Sequence, residues 1–292
     1  MSNEITTSRV QKYFDGITIL AQQRMSRLRS KVRSESGVIG KAAYFDQIGA
    51  TIMQKKSGRH TDTPLIEIPH RRRQVQMDFY HTADLVDVAD VLTIINDPTN
   101  SYGMTMAMAA GRQIDAVIAA QFFATANTGE AGETPTSFPA AFIVDSAGNA
   151  AMTTAKVIEA KEILDANEND PQIMRHAGTT AKQVSDLLQE TSGGTVTNSD
   201  YNTVKALVRG EINSWVGFDW MRYEEFPETG DPYRRCPFWS ERSMLLGIGQ
   251  DIRGRISERD DKDYSTQVYY SLRIGATRMD ETGVVEVRCD EA

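Results

Sequence analysis

Apolar positions along the chain follow two regimes, one with the 3.6-residue period of helices and one with the period of two that marks half-buried strands. The clearest helical stretch is 97–126. Asp97 stands where a cap belongs, and Pro98 takes the first helical position, where its missing N–H has no partner to lose. Ala107, Ala110, Ile114, Ile118 and Phe122 follow at three- and four-residue steps, and Val117 and Phe123 widen the stripe. Met104, Met106 and Met108 add adaptable apolar surface. A continuous helix from Pro98 to Ala126 would measure about 43 Å, long enough for other layers to pack along it. Arg112, Gln113 and Asp115 interrupt the apolar run short of the ~20 residues that a membrane span needs.

Upstream, Val10, Phe14, Ile17, Ala21, Met25 and Leu28 share one helical face within residues 8–33. Arg24, Arg27, Arg29, Lys31 and Arg33 crowd the end of that stretch, where cations complement a helix dipole. From Lys41 the period becomes two. A strand is expected around Tyr44 to Met53, then a turn at Lys55-Lys56-Ser57-Gly58-Arg59, then extended chain again at Leu65, Ile66 and Ile68. Val75, Met77, Phe79, His81, Ala83 and Leu85 alternate with polar residues as one half-buried strand. The whole reads as a long hairpin with a basic tip, too thin to be stable alone.

Beyond the central helix the pattern predicts a Gly/Thr/Pro-rich loop from Asn127 to Pro139. A helix follows from Thr153 or Thr154 to about Asp170-Pro171, and another spans Thr180 to Glu190 before Ser192-Gly193-Gly194. A short helix is expected from Asp200 to Gly210, and an aromatic-rich strand at Trp215 to Met221. The tail turns to strands at 244–248, 267–274 and 284–287, with a turn at Arg278 to Gly283 before the last.

At 292 residues, with 40% apolar and 25% charged side chains, the chain is folded rather than disordered. Two cysteines, Cys236 and Cys289, give neither a disulfide framework nor metal-ligand spacing and are expected as reduced thiols. Residues 1–10 lack the apolar core of a signal peptide. The net charge of −8 is split: residues 1–80 carry 14 Lys/Arg against 7 Asp/Glu (+7), and 81–292 carry 18 against 33 (−15). The first quarter is therefore expected to touch something acidic, either nucleic acid or the remainder of another copy of this chain.

Candidate chemistry is sparse. No phosphate-binding loop, zinc-protease, CxxC or nucleophile-elbow spacing is present. Gly247-Ile248-Gly249 begins like a dinucleotide fingerprint, but Ile252 stands where the third glycine belongs, so a strand-end glycine pair is expected. Asp260, Asp261 and Asp263 lack the order and glycine of a calcium loop and read as a solvated acidic turn. His60, His70, His81 and His176 are scattered. The densest basic patch is His70-Arg71-Arg72-Arg73 with Arg59 and His60. Without interleaved stacking aromatics, docking on acidic protein surface is favoured there over phosphate contact.

The order of parts is distinctive: helical arm, long hairpin, long helix, mixed α/β layer, returning strands. It resembles the major capsid protein of tailed bacteriophages, with the Hong Kong 97 (HK97-like) α+β fold. Leu20-Ala21-Gln22-Gln23 followed by Ser26-Arg27-Leu28-Arg29 is similar to the N-terminal arm of podovirus and related coats. The run from Ile66-Glu67-Ile68-Pro69 to Tyr80 resembles the second arm of their extended loop. Ala83 to Ala126 resembles the strand and spine helix that follow, and Gly210 to Pro227 the strand closing the axial domain.

The resemblance implies an N-arm at 1–40, an extended loop at 41–83, a peripheral domain at 84–139 plus 241–292, and an axial domain at 140–240. It also implies hexamers and pentamers that close into an icosahedral head around double-stranded DNA, in the virion, after assembly in the bacterial cytoplasm. Implied partners are a separate scaffolding protein, a portal protein and, in some relatives, a decoration protein. No catalysis, cofactor, metal or membrane is expected. Lys55, Lys56, Arg59, Arg71, Arg72 and Arg73 are the expected intersubunit contacts. Some relatives join subunits by lysine–asparagine isopeptide bonds; Lys55 and Lys56 lie near the tip, but a solvated lysine pair is the ordinary reading. Alternatives are an encapsulin-like shell, a nucleic-acid-binding protein using the basic quarter, and an enzyme with an unrecognised site.

Overall fold

A computed structural model describes residues 19–60, 62–63, 65–87, 99–144, 151–192, 214–228 and 233–291. The central helix α1 runs Thr99–Gln121; the expected cap at Asp97-Pro98 lies outside the described residues. Ala110, Ile114, Ile118 and Phe122 are buried as their spacing predicts. The helix stops five residues before Ala126, because the buried Arg278 guanidinium donates to the carbonyls of Phe122 (2.8 Å) and Ala124 (3.0 Å). A cation that takes up the free carbonyls past a helix end also complements its dipole.

Fourteen strands form three sheets among the described residues. The first holds β1 (Arg33–Ser36), β12 (Met244–Arg259), β13 (Ser265–Arg278) and β4 (Asp78–Val86), in that order. Its inner half packs on α1: Leu246, Ile248, Leu272 and Ile274 meet Ile114, Ile118 and Phe122 in one core, closed by Leu28 and Trp239. The second sheet orders β2 (Ala42–Ile48), β3 (His70–Gln76), β5 (Ala126–Thr128) and β6 (Thr134–Thr136). The third orders β7 (Ile143–Val144), β14 (Val284–Asp290), β11 (Tyr233–Ser240), β8 (Arg175–Thr179), β10 (Phe218–Arg222) and β9 (Ser214–Trp215). Helices α2 (Thr154–Ala166) and α3 (Ala181–Ser192) supply Val157, Ala160, Leu164 and Leu187 to its core, against Phe218, Trp220, Phe238 and Val287. Thr153 caps α2 by accepting from the Lys156 amide, as the sequence suggests.

Several expectations are corrected. The arm is not helical over its described part: 19–28 runs without regular structure, followed by a single 3-10 turn at Arg29–Lys31 and then β1. The cause is the buried Asp115 of α1. Its carboxylate accepts from the backbone N–H groups of Arg27 (2.9 Å) and Leu28 (2.9 Å), from the Ser26 hydroxyl and from the Gln23 amide. Amides committed to a side chain on another element cannot serve a local helix. Leu28 is buried as expected, but Met25 is exposed.

The expected strand across 75–85 breaks at Met77, where the chain passes from the second sheet to the first. Val75 and Met77 are buried, whereas Phe79 and Leu85 face outward, because the change of sheet turns the odd-numbered face away from the core. Gly247 and Gly249 lie inside the 16-residue β12, not at a strand end, and Gly247 pairs with Gly275. A Cβ at Gly275 would collide with the Gln76 carbonyl, so these glycines let the hairpin root cross the sheet at backbone distance.

The expected loop 127–139 contains the β5–β6 hairpin, which extends the second sheet. The expected strand 215–221 is a tight hairpin turning at Val216 (φ 54°) and Gly217 (φ 81°). The helix expected at 200–210 lies outside the described residues.

Asp115→Ala would orphan buried amide donors at Arg27 and Leu28. It is expected to destabilise the subunit by about 3 kcal/mol, the usual cost of unmade buried hydrogen bonds. Urea unfolding checks this, and an unshifted midpoint would show that the arm contributes nothing to stability.

Candidate intersubunit surface

The second sheet carries a projection. β2 and β3 pair from Ala42↔Gln76 to Ile48↔His70, and the Gly49 amide still donates to the Pro69 carbonyl at 2.8 Å. The strand ends at Ile48, five residues before the expected Met53. Beyond it, the described residues of 51–69 form no strand. Ile52, Met53 and Leu65 there are 71% to fully exposed, so three large apolar side chains bury almost nothing within their own chain. Single exposed apolar residues are ordinary; three such large side chains on one loop are not. Lys55, Lys56 and Arg59 beside them are exposed and have no ion pair among the described residues.

The three arginines of β3 diverge. Arg71 is exposed and pairs across the strands with Gln47. Arg72 bridges Asp46 at 2.7 Å and reaches the Glu130 carbonyl at 3.4 Å. Arg73 turns inward and is buried, donating through Nη2 to the Met279 carbonyl (3.1 Å) and to Glu281 (2.7 Å). Its Nε and Nη1 find no hydrogen-bond partner. Glu281 also lies 3.7 Å from Nε of Arg278, whose guanidinium sits over the Phe138 ring. Burial pushes the Arg278 pKa down; Glu281 opposes that and Arg73 adds to it. One carboxylate thus serves two buried guanidiniums. Asp46 and the run from His70 to Arg73, with Thr128, Glu130, Thr136 and Glu281, line a groove of about 610 Å³ at the hairpin root.

The basic arm spends much of its charge internally. Arg29 bridges Asp251 at 2.7 Å, Lys31 bridges Asp219, Arg33 bridges Glu35 at 2.7 Å, and Arg27 donates to the Arg222 carbonyl. Asp219 also meets the buried His176 at 3.2 Å, whose pKa is lowered by burial and by Lys31. Trp239 lies tilted against His176 and donates to the Lys31 carbonyl (2.9 Å), completing the arm's second anchor. Sequence reading missed this constellation because its members, Lys31, His176, Asp219 and Trp239, come from four distant segments. Part of the +7 excess is therefore neutralised within the subunit, while Lys55, Lys56, Arg59 and Arg71 of the hairpin have no ion pair among the described residues.

Other candidate chemistry does not converge. Cys236 and Cys289 are buried free thiols. Asp260, Asp261 and Asp263 sit on the exposed turn between β12 and β13, with Asp261 held by Arg259 at 2.7 Å. Among the described residues, no His/Cys/Asp/Glu group suits a metal ion, and no helix is long and apolar enough to cross a membrane.

A family model described as phage capsid protein matches residues 5–291. The capsid of Ralstonia phage GP4 superposes with a TM-score of 0.75 at 12% identity, covering 97% of this chain and 95% of that one. The capsid structure of cyanophage P-SCSP1u gives 0.73 at 17% identity, covering 97% and 93%. The capsid asymmetric unit of cyanophage Pam1 gives 0.70 at 13% identity, covering 98% of both chains. At such identities the likeness is one of fold, the Hong Kong 97 type of α+β architecture. No curated protein matches the chain by sequence.

The hairpin tip has few contacts to hold it, so trypsin is expected to cut the free subunit first at Lys55, Lys56 and Arg59. Peptide mass spectrometry over a time course checks this. Earlier cleavage within β12 or β13 would show that the tip is protected within its own chain.

Proposed function

The chain belongs to the phage capsid protein family, and on that premise we propose that it is the major coat protein of a tailed bacteriophage. It assembles as hexamers and pentamers into an icosahedral head around double-stranded DNA. The family match takes the place of the encapsulin-like and freestanding nucleic-acid-binding alternatives. The observation that carries the assembly reading is the hairpin: apolar side chains and cations project where their own chain supplies nothing to cover them. A neighbouring subunit supplies that cover, and symmetry repeats each weak contact around the shell. In this reading the protein is structural and needs no catalysis.

The division of labour follows the chain. Residues 1–40 act as the arm, 41–83 as the extended loop, 84–139 with 241–292 as the peripheral domain, and 140–240 as the axial domain. The last strand, β14, pairs with β11 and so ties the final segment to the sheet of the fourth. Lys55, Lys56, Arg59, Arg71 and Arg72 make the intersubunit contacts, while Arg73 acts from beneath by holding β3 to the turn after β13. A separate scaffolding protein directs closure in the bacterial cytoplasm. A portal occupies one vertex, a decoration protein is an optional addition, and the genome lies against the inner face.

Electron microscopy of the purified protein, alone and co-expressed with its scaffold, is expected to show closed shells. Monomers or dimers under both conditions would overturn the reading. In shells, cleavage at Lys55, Lys56 and Arg59 is expected to be slower than in the free subunit. Equal rates would show that the hairpin is not an intersubunit clasp.

A further inference from the structure

We propose that the groove at the hairpin root receives a carboxylate from a second copy of this chain, presented by the acidic tip between β12 and β13. The inference rests on self-assembly and adds the partner chemistry of one contact.

The groove is an acceptor with unused capacity. Arg73 is buried, yet its Nε and Nη1 have no partner, an arrangement that is costly unless a further acceptor arrives. Arg71 lies two residues along β3, on the same strand face, exposed and without an ion pair among the described residues. The two guanidiniums therefore flank one volume of about 610 Å³, with Thr128 and Thr136 also in its lining. Arginine forks match a carboxylate with two parallel bonds.

Charge selects a single acid over a polyanion. Arg71, Arg72, Arg73 and Arg278 stand against Asp46, Glu130 and Glu281 in and beneath the groove, an excess of one positive charge. A strand of successive phosphates would meet three carboxylates around that one excess charge, whereas one carboxylate neutralises it. Asp46 and Glu281 are already engaged by Arg72 and Arg73.

The occupant is identified by reach as well as sign. Past its pairing with β1, β12 continues as an edge strand on β13, and Asp251 to Glu258 are all exposed. Those residues carry the turn about 27 Å outward at strand rise. The turn presents Asp260, Asp261 and Asp263 within four residues, all exposed, at the outer end of the β12–β13–β4 sheet. Asp263 lies in the left-handed region at φ 51°, which narrows the turn.

The test is a charge exchange read by light scattering of assembly at fixed ionic strength, with thermal melts to confirm folding. Arg71→Glu alone, and Asp260→Lys with Asp261→Lys alone, are each expected to slow assembly about tenfold, the scale of lost electrostatic steering. Combining them is expected to restore most of the rate, because the pair is reversed rather than removed. Asp263 is left in place to preserve the turn, and Arg71→Gln serves if the Glu variant melts early. A combined variant no faster than its slower parent would overturn the proposal, as would Arg71 variants that assemble like wild type. Loss of binding to a 20-nucleotide dT strand in an Arg71 variant with unchanged assembly would also overturn it, by assigning the groove to nucleic acid. Failure of the wild type itself to assemble would instead bring down the coat-protein reading on which the inference stands.

Discussion

Glu281 holds the subunit together at the point where its layers would otherwise part. Its carboxylate lies between two buried guanidiniums, Arg73 from the hairpin sheet and Arg278 from the end of β13. Arg278 in turn closes α1 by capping Phe122 and Ala124. Helix end, hairpin root and the last turn therefore meet in one charged cluster. Two cations sharing one anion in a dry site are unfavourable unless every remaining donor is met. Both meet this only in part: Arg278 through carbonyls and the Phe138 face but not at Nε, and Arg73 not at Nε or Nη1. Removing Glu281 would leave two buried cations without a counter-charge, so the cluster matters more for holding one arrangement than for net stability.

The same device, a buried polar group organising a distant backbone, explains where sequence patterns mislead. The arm has a helical stripe from Val10 to Leu28, yet in its described part Asp115 outcompetes the local helix by accepting two of its amides at once. Periodicity reports which residues want burial, and Leu28 indeed is buried. It cannot report a carboxylate some 90 residues away.

The central helix, the hairpin and the returning strands were legible because each buries one face with a regular period. Ala110, Ile114, Ile118 and Phe122 are an example. β8 was not legible, since Arg-His-Ala-Gly-Thr has no strand-like alternation and all five residues are buried. Arg175 and His176 find partners in Asp165 and Asp219, from elements that sequence cannot bring near. β5 and β6 are three residues each and form only because β3 offers an edge. The candidate surface was half legible: the basic run on β3 could be read, but not that Arg73 points inward while Arg71 stays out.

The glycines under the hairpin have a mechanical consequence. With Gln76 pressed against Gly275, and Met77 packed on Gly247 and Gly249, the root has no room to rock. The paired strands span about 23 Å, so a 10° tilt at the root would move their far end by roughly 4 Å. That lever is locked. Adjustment to neighbours set at different angles must then occur beyond Gly49, where the described residues form no strand. A stiff beam ending in a compliant tip lets one sequence meet neighbours across surfaces of unequal curvature while its core stays unchanged.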